Sequence, residues 1–393
     1  MTASLPAASP PSPLAGIRVL DLSRVLSGPF AGRMLSDLGA DVVKVEPPEG
    51  DSTRFWGEKR AGLSGFYTQQ NAGKRNVCVS LAHADGVRVV HDLATHADVV
   101  IENFRPRVAH RLGIGWQDLQ ARNPRLVMLS ISGYGQDEPD PARAAFAPII
   151  HAASGLVERQ ASDDGALPTD PMLSIADIVA GLHGLVAILA ALRLRDQTGV
   201  GQFIDLAMLD AMLATDDYAH HYVDGSPVGR LGGLLWQTSS GFVMTAGDLR
   251  HTWRQVADAH GLRDGLPADA TLQEKVDARR TVLIDWFKSH RDAGSLHDGL
   301  EKANLIATDV ITPQQVWHSA DVTRRKMIAD VDGRDGSPRR VVQSPYRFSS
   351  ATSGVRGPAP FRGEHNARVL AEWAGWGDAE IAALVEGSVL LSD

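Results

Sequence analysis

The chain has 393 residues, 44% of them hydrophobic and 22% charged, with 39 Lys and Arg against 47 Asp and Glu for a formal net charge of -8. That size and composition predict a globular protein of two domains, or one large domain carrying a smaller one, and exclude wholesale disorder. The acidic balance gives no general reason to bind nucleic acid or an anionic membrane, and the single cysteine, Cys78, excludes an intrachain disulfide and a cysteine-held zinc or iron–sulfur centre.

Residues 1–14, rich in Pro, Ala and Ser, read as a flexible tail. They lack the basic start and apolar core of a secretory signal, and the chain shows no apolar run near the roughly 18 residues of a membrane span, so a cytoplasmic protein is expected. Ile17–Ser23 then predicts a short buried strand, with Pro29 opening a helix that runs to about Ala40. Asp41–Glu46 is a second strand. Asn76–Leu81 is a third, followed by a helix over 85–96, a strand over Ala97–Phe104, a basic helix near Arg107–Leu112 and a strand over Leu126–Ser132.

This β-α-β-α rhythm predicts a parallel α/β sheet. In such sheets ligands bind beyond the carboxyl ends of the strands, which directs attention to the loops after Ser23, Glu46, Leu81, Asn103 and Ser132. A long helix is predicted from Ser174 to about Arg195, ended by the glycines of "TGVGQ", and a strand-like piece follows. From about 218 to 335 the texture becomes turn-rich and mixed, which marks a smaller second domain after a large domain at 15–217. The helical pattern within 336–393 suits a segment that packs back on the first domain.

Several common sites are absent from the sequence. It has no phosphate-binding G-x-x-x-x-G-K-[ST] loop and no H-E-x-x-H helix, and the first strand leads into "RVLSGPFAG" in place of a dinucleotide-binding G-x-G-x-x-G. Lys44, Lys74, Arg75, Asn103, Arg105, Arg107 and Arg111 gather near strand ends. They form either a phosphate site, since guanidinium groups hold phosphate through paired charge-assisted bonds, or a solvated surface.

Asp177 opens the long helix and also has two readings. Ser174 three residues before it matches a capping pattern, which the residues alone favour, and a carboxylate kept ionised by such a cap is also in the state a nucleophile requires. His151 and His183 are candidate acid–base groups or buried hydrogen-bonding residues, and neither has a partner at metal-ligand spacing.

The blocks "LAGIRVLDLSRVLSGPFAGRMLSDLGADVVKVEPPEGDSTR", "NAGKRNVCVSL", "ADVVIENFRPRVAHRLGIGW", "NPRLVMLSISGYGQ", "IADIVAGLHGLVAILAAL" and "TGVGQFIDLAMLDA" resemble, in order and spacing, the class III CoA transferases. That family includes formyl-CoA transferase, carnitine CoA-transferase and α-methylacyl-CoA racemase. The resemblance implies a Rossmann-like large domain built from both ends of the chain, a smaller inserted α+β domain, and a homodimer of interlocked subunits.

It also implies transfer of CoA from an acyl-CoA to a carboxylic acid, with no metal, nicotinamide or flavin. The family's catalytic aspartate falls on Asp177. Val25, Leu26 and Ser27 match a loop along CoA, Asn103, Phe104 and Arg105 a second loop, and Arg111 a phosphate-binding arginine, while Lys74 and Arg75 join the same candidate CoA site. Pro47 and Ala82 stand where formyl-CoA transferase has basic CoA contacts, and that enzyme's glycine-rich lid is reduced to Leu231–Gly233. The alternatives are a 2-methylacyl-CoA racemase, whose histidine would fall at Phe146, and a non-catalytic CoA-binding regulator.

Overall fold

The apolar runs form six short strands: β1 (Arg18–Asp21), β2 (Asp41–Glu46), β3 (Arg75–Cys78), β4 (Val99–Glu102), β5 (Val127–Ser132) and β6 (Gln202–Ala207). In the computed structural model, which describes residues 10–226 and 233–393, they make one parallel sheet in the order β3-β2-β1-β4-β5-β6. This is the doubly wound order, whose direction of winding reverses between β1 and β4.

Neighbouring residues on each strand face opposite sides. Leu20, Val43, Val100 and Met128 point to a core shared with Val89 and Leu93 of α2 (Ala84–Thr95) and with Val369, Trp373 and Leu384 near the C-terminus. Val19, Val42, Val99 and Val127 point to the other, shared with Leu35 of α1 (Ser27–Asp37) and with Ala180 and Ile188 of the long helix Ile175–Thr198. Both faces are covered, which is why these strands read as continuous apolar runs. Three shorter helices precede or follow the long one: α3 (Val108–Arg111), α4 (Ala147–Ala153) and α6 (Met208–Thr215), the long helix itself being α5.

The sheet belongs to a unit that runs to Ala219 and resumes over Arg325–Asp393, while His220–Arg324 forms a second compact unit. In the second, β7 (Leu234–Thr238), β8 (Gly241–Thr245) and β9 (Ala307–Asp309) form an antiparallel sheet in the order β9-β8-β7. It packs with helices over a core in which Trp236 stacks on Phe287 at 4.7 Å.

The structure corrects three expectations. The small domain does not extend to 335, because β10 (Ile328–Asp332) pairs with β11 (Pro338–Val342), which is bonded in turn to Gln69 of the large unit. Residues 10–14 are not a loose tail: Leu14 N–H binds the Leu38 carbonyl and Thr352 N–H the Pro11 carbonyl. The chain does contain an apolar helix of membrane-spanning length, the 24-residue α5, with a mean hydropathy of 2.1 over its most apolar 18 residues, but one face of it is buried against α1 and the sheet.

Candidate active site

A cleft of about 300 Å³ opens at the carboxyl edge of the sheet where the winding reverses, the position at which such sheets bind ligands. The β1–α1 loop contributes Arg24, Val25 and Ser27; the segment after β4 contributes Asn103, Phe104 and Arg105; the β5–α4 connection contributes Gly133, Arg143 and Phe146; and Asp177 is also in the lining.

Asp177 lies in the first turn of α5 and is 9% exposed. The capping reading fails in detail, since the Ser174 side chain makes no cap bond. The Asp177 carboxyl instead faces the Ala147 N–H and both the hydroxyl and the N–H of Ser27, whose dipoles favour its ionised form. Ala147 and Ser27 each begin a helix, so three helix starts meet at this one carboxyl group. Burial pushes its pKa up, and the donors from Ala147 and Ser27 reduce that rise without reversing it. Close helix packing makes the meeting possible: a Cβ at Gly181, one turn along α5, would lie 2.7 Å from the Ser27 carbonyl oxygen.

The loop that presents Ser27 rests on buried charges. Lys44 Nζ donates to the Ser23 carbonyl (2.8 Å) and pairs with Asp51 (3.0 Å), while Lys74 Nζ pairs with Asp21 (2.8 Å). Asp21 accepts the Ser23 N–H (3.1 Å) and Asp51 the Val25 N–H (3.2 Å). These bonds hold Val25 at a φ of 69°, a left-handed conformation costly for a β-branched side chain. From above, Asn103 accepts the Arg24 N–H (2.8 Å) and donates to the Arg24 carbonyl (2.8 Å) and to Ser27 Oγ (3.1 Å). Asn103 thereby fixes the Ser27 hydroxyl that faces Asp177.

Glu102 fixes the neighbouring turn by accepting the Phe104 N–H (2.7 Å) and the Ser130 hydroxyl. Its burial raises the carboxyl to about 7, against the lowering effect of those two bonds. Arg105 also lines a second cleft, with Glu102, Arg107, His110 and Trp116.

Of the residues expected from the sequence, Val25, Ser27, Asn103, Phe104, Arg105 and Asp177 come together in the first cleft. Leu26 is buried beneath it at the start of α1. Arg111 is exposed on α3 and lines neither cleft.

Lys74 and Arg75 lie elsewhere, because Lys74 precedes β3 and Arg75 opens it, so both sit at the amino end of that strand. The Lys74 ammonium is consumed by Asp21, Asn71 and the Pro29 carbonyl, and burial lowers it to about 8. Arg75 pairs with Asp41 and Glu372.

Lys44, grouped with them by sequence, is likewise wholly internal. His183 faces away from the cleft and bonds Thr215 (2.9 Å). His151 is buried with both ring nitrogens engaged, and it does not line the cleft. Leu231 and Gly232 of the expected lid lie outside the described residues. Arg24 and Arg143 gave no sequence signal, being lone arginines in loops. Among the described residues there is no group of three or more His, Cys, Asp or Glu side chains that could hold a metal ion.

A parallel α/β sheet with a buried carboxyl at its switch point and three arginines in the same cleft suits an enzyme that handles anionic substrates. The chain belongs to CoA-transferase family III, whose model matches residues 14–366. It is 34% identical over 388 residues to a succinate–glutarate CoA-transferase of Agrobacterium fabrum, covering 92% of this chain and 95% of that protein. It is 32% identical over 397 residues to the beta subunit of a succinyl-CoA–L-malate CoA-transferase of Chloroflexus aurantiacus, covering 94% and 96%. The crystal structure of a CAIB/BAIF family protein from Brucella suis superposes with a TM-score of 0.79 at 30% identity, over 92% of this chain and all of that one. The protein is a CoA-transferase, and CoA is accordingly a substrate that it carries between acids.

Proposed function

We propose that this enzyme moves CoA between dicarboxylic acids, with succinyl-CoA as a donor, through covalent intermediates on Asp177. The observation that carries the reading is the single buried carboxyl in the cleft, faced by the N–H groups of Ser27 and Ala147. The ionised Asp177 attacks the thioester carbonyl and expels CoA thiolate, leaving a mixed anhydride. The thiolate attacks the aspartyl carbonyl, which releases the first acid and forms an aspartyl-CoA thioester. An acceptor carboxylate attacks that thioester, and the returning thiolate takes the new acyl group and frees Asp177. A carboxylate whose basicity is raised by burial is a stronger nucleophile once ionised, and the Ser27 and Ala147 N–H groups are placed to stabilise oxyanions at the aspartyl carbonyl.

Val25, Ser27, Asn103, Phe104 and Arg105 form the wall along which CoA lies, and Arg111 beyond it meets a nucleotide phosphate. The dicarboxylate reading draws on the relatives, named for succinate, glutarate and malate, and on the guanidinium groups of Arg24, Arg105 and Arg143 in the cleft, which suit a second carboxylate. Racemisation is disfavoured, because Phe146 cannot carry a proton and His151 is already engaged. A homodimer is supported by the solvent face of α5, where Leu182, Val186 and Leu189 are exposed, Val186 by 64%.

The test is Asp177→Ala with succinyl-CoA and glutarate, product masses being read directly. Transfer should fall by roughly 1,000-fold or more, as expected for loss of a covalent nucleophile, with succinyl-CoA binding retained. Turnover near the parent rate would overturn the reading.

A further inference from the structure

Helix α5 starts without the side-chain cap that its sequence offers, yet the N–H of Ala176, one residue before Asp177, is satisfied. Its acceptor is Nε2 of His151, at 3.1 Å, from a ring that is 0% exposed. Because Nε2 accepts, the ring proton must reside on Nδ1, where it is donated to Asp170 at 2.8 Å. The same short helix begins at Ala147, whose N–H faces the Asp177 carboxyl. Residues 147 and 151 are one turn apart on α4, and residues 176 and 177 are adjacent on α5. The Ala176 N–H bond to His151 therefore fixes the first turn of α5 against α4, whose Ala147 N–H faces the carboxyl group.

We propose that His151 is a positioning residue for Asp177: its Nδ1–H tautomer, fixed by Asp170, caps the first turn of α5 and sets where the reacting carboxyl stands in the cleft. Neither ring nitrogen faces the substrate, so His151 transfers no proton. What it supplies is an acceptor at a fixed place, and any neutral side chain with an acceptor there and a donor behind it should serve. Glutamine has that pairing; leucine has the bulk and neither group. The inference rests on Asp177 being the nucleophile.

The test compares His151→Leu, His151→Gln and Asp170→Ala with the parent in kcat, in KM for succinyl-CoA and in melting temperature. His151→Leu should lose roughly 10- to 100-fold in kcat with KM changed little, as misplacement of a reacting group does, and His151→Gln should recover most of that loss. Asp170→Ala, which removes a partly exposed carboxylate and leaves the core intact, should lower kcat several-fold because the tautomer is no longer fixed.

A folded His151→Leu with parental kcat would overturn the proposal, as would a folded His151→Gln as slow as His151→Leu. If His151→Leu does not fold, Asp170→Ala decides, and an unchanged kcat overturns the proposal. Asp177→Ala run alongside separates the two ideas: parental activity there defeats the nucleophile reading, whatever the His151 variants do.

Discussion

The two walls of the cleft are built on opposite principles. Under Val25–Ser27 lie Asp21, Lys44, Asp51 and Lys74, all at most 3% exposed and joined by bonds of 2.8–3.2 Å. Across the cleft, the connection from Gly133 to Phe146 is held at the surface: Gln136 N–H binds Asp205 at 3.0 Å, Arg143 pairs with Glu138 at 2.9 Å, and its guanidinium lies 3.4 Å from the Tyr134 ring centre. Phe146 is 59% exposed. Buried charges are tolerable only in one well-bonded geometry, whereas exposed pairs contribute about 0–1 kcal/mol and rearrange readily. The first wall is thus preformed and the second adaptable, which fits the proposal that CoA lies along the first and the varying acid meets the second.

The largest effect should come from breaking the rigid wall. Lys44→Met leaves Asp51 and the Ser23 carbonyl without their buried donor, and it should cost about 3–5 kcal/mol of stability, read from the denaturant midpoint. An intermediate effect is expected from Glu102, whose folded pKa of about 7 stands above its ordinary 4.5. Its protonated form is the one the fold favours, so its contribution is complete below pH about 4.5 and lost as pH rises through about 7. Glu102→Gln should flatten the fall in stability over that window, and an unaltered slope would show that another group titrates there.

The smallest stability change belongs to the other wall. Arg143→Gln should shift the midpoint by less than about 1 kcal/mol, since the side chain is half exposed, while changing the ranking of acceptor acids. A stability loss matching that of Lys44→Met would erase the distinction between the walls.

Most of the sheet was legible in the sequence because strands buried on both faces appear as uninterrupted apolar runs. The residues that resemblance assigned to the β1–α1 loop and to the segment after β4 share a cleft because both follow strands flanking the switch point. Lys74 and Arg75 misled because a strand's neighbours in sequence do not reveal which edge of the sheet they occupy. A lysine next to a strand can also be spent on a buried aspartate, as Lys74 is on Asp21. The domain boundary at 324 was hidden for a related reason, since the strand that claims β10 comes after it in the chain. Arg24 and Arg143 have no spacing that sets them apart from surface arginines. His151 could be read as a buried hydrogen-bonding residue, but its partner, the backbone N–H beside Asp177, is visible only in three dimensions.

The most direct test of the central claim is to capture the enzyme in mid-reaction. Protein mixed with succinyl-CoA alone and quenched with hydroxylamine should carry a hydroxamate on the carboxyl of Asp177, located by fragmentation of the peptide that contains it, because hydroxylamine intercepts the aspartyl anhydride or thioester. An unmodified Asp177 in enzyme that is turning over, or a hydroxamate on a different carboxyl group, would contradict the account.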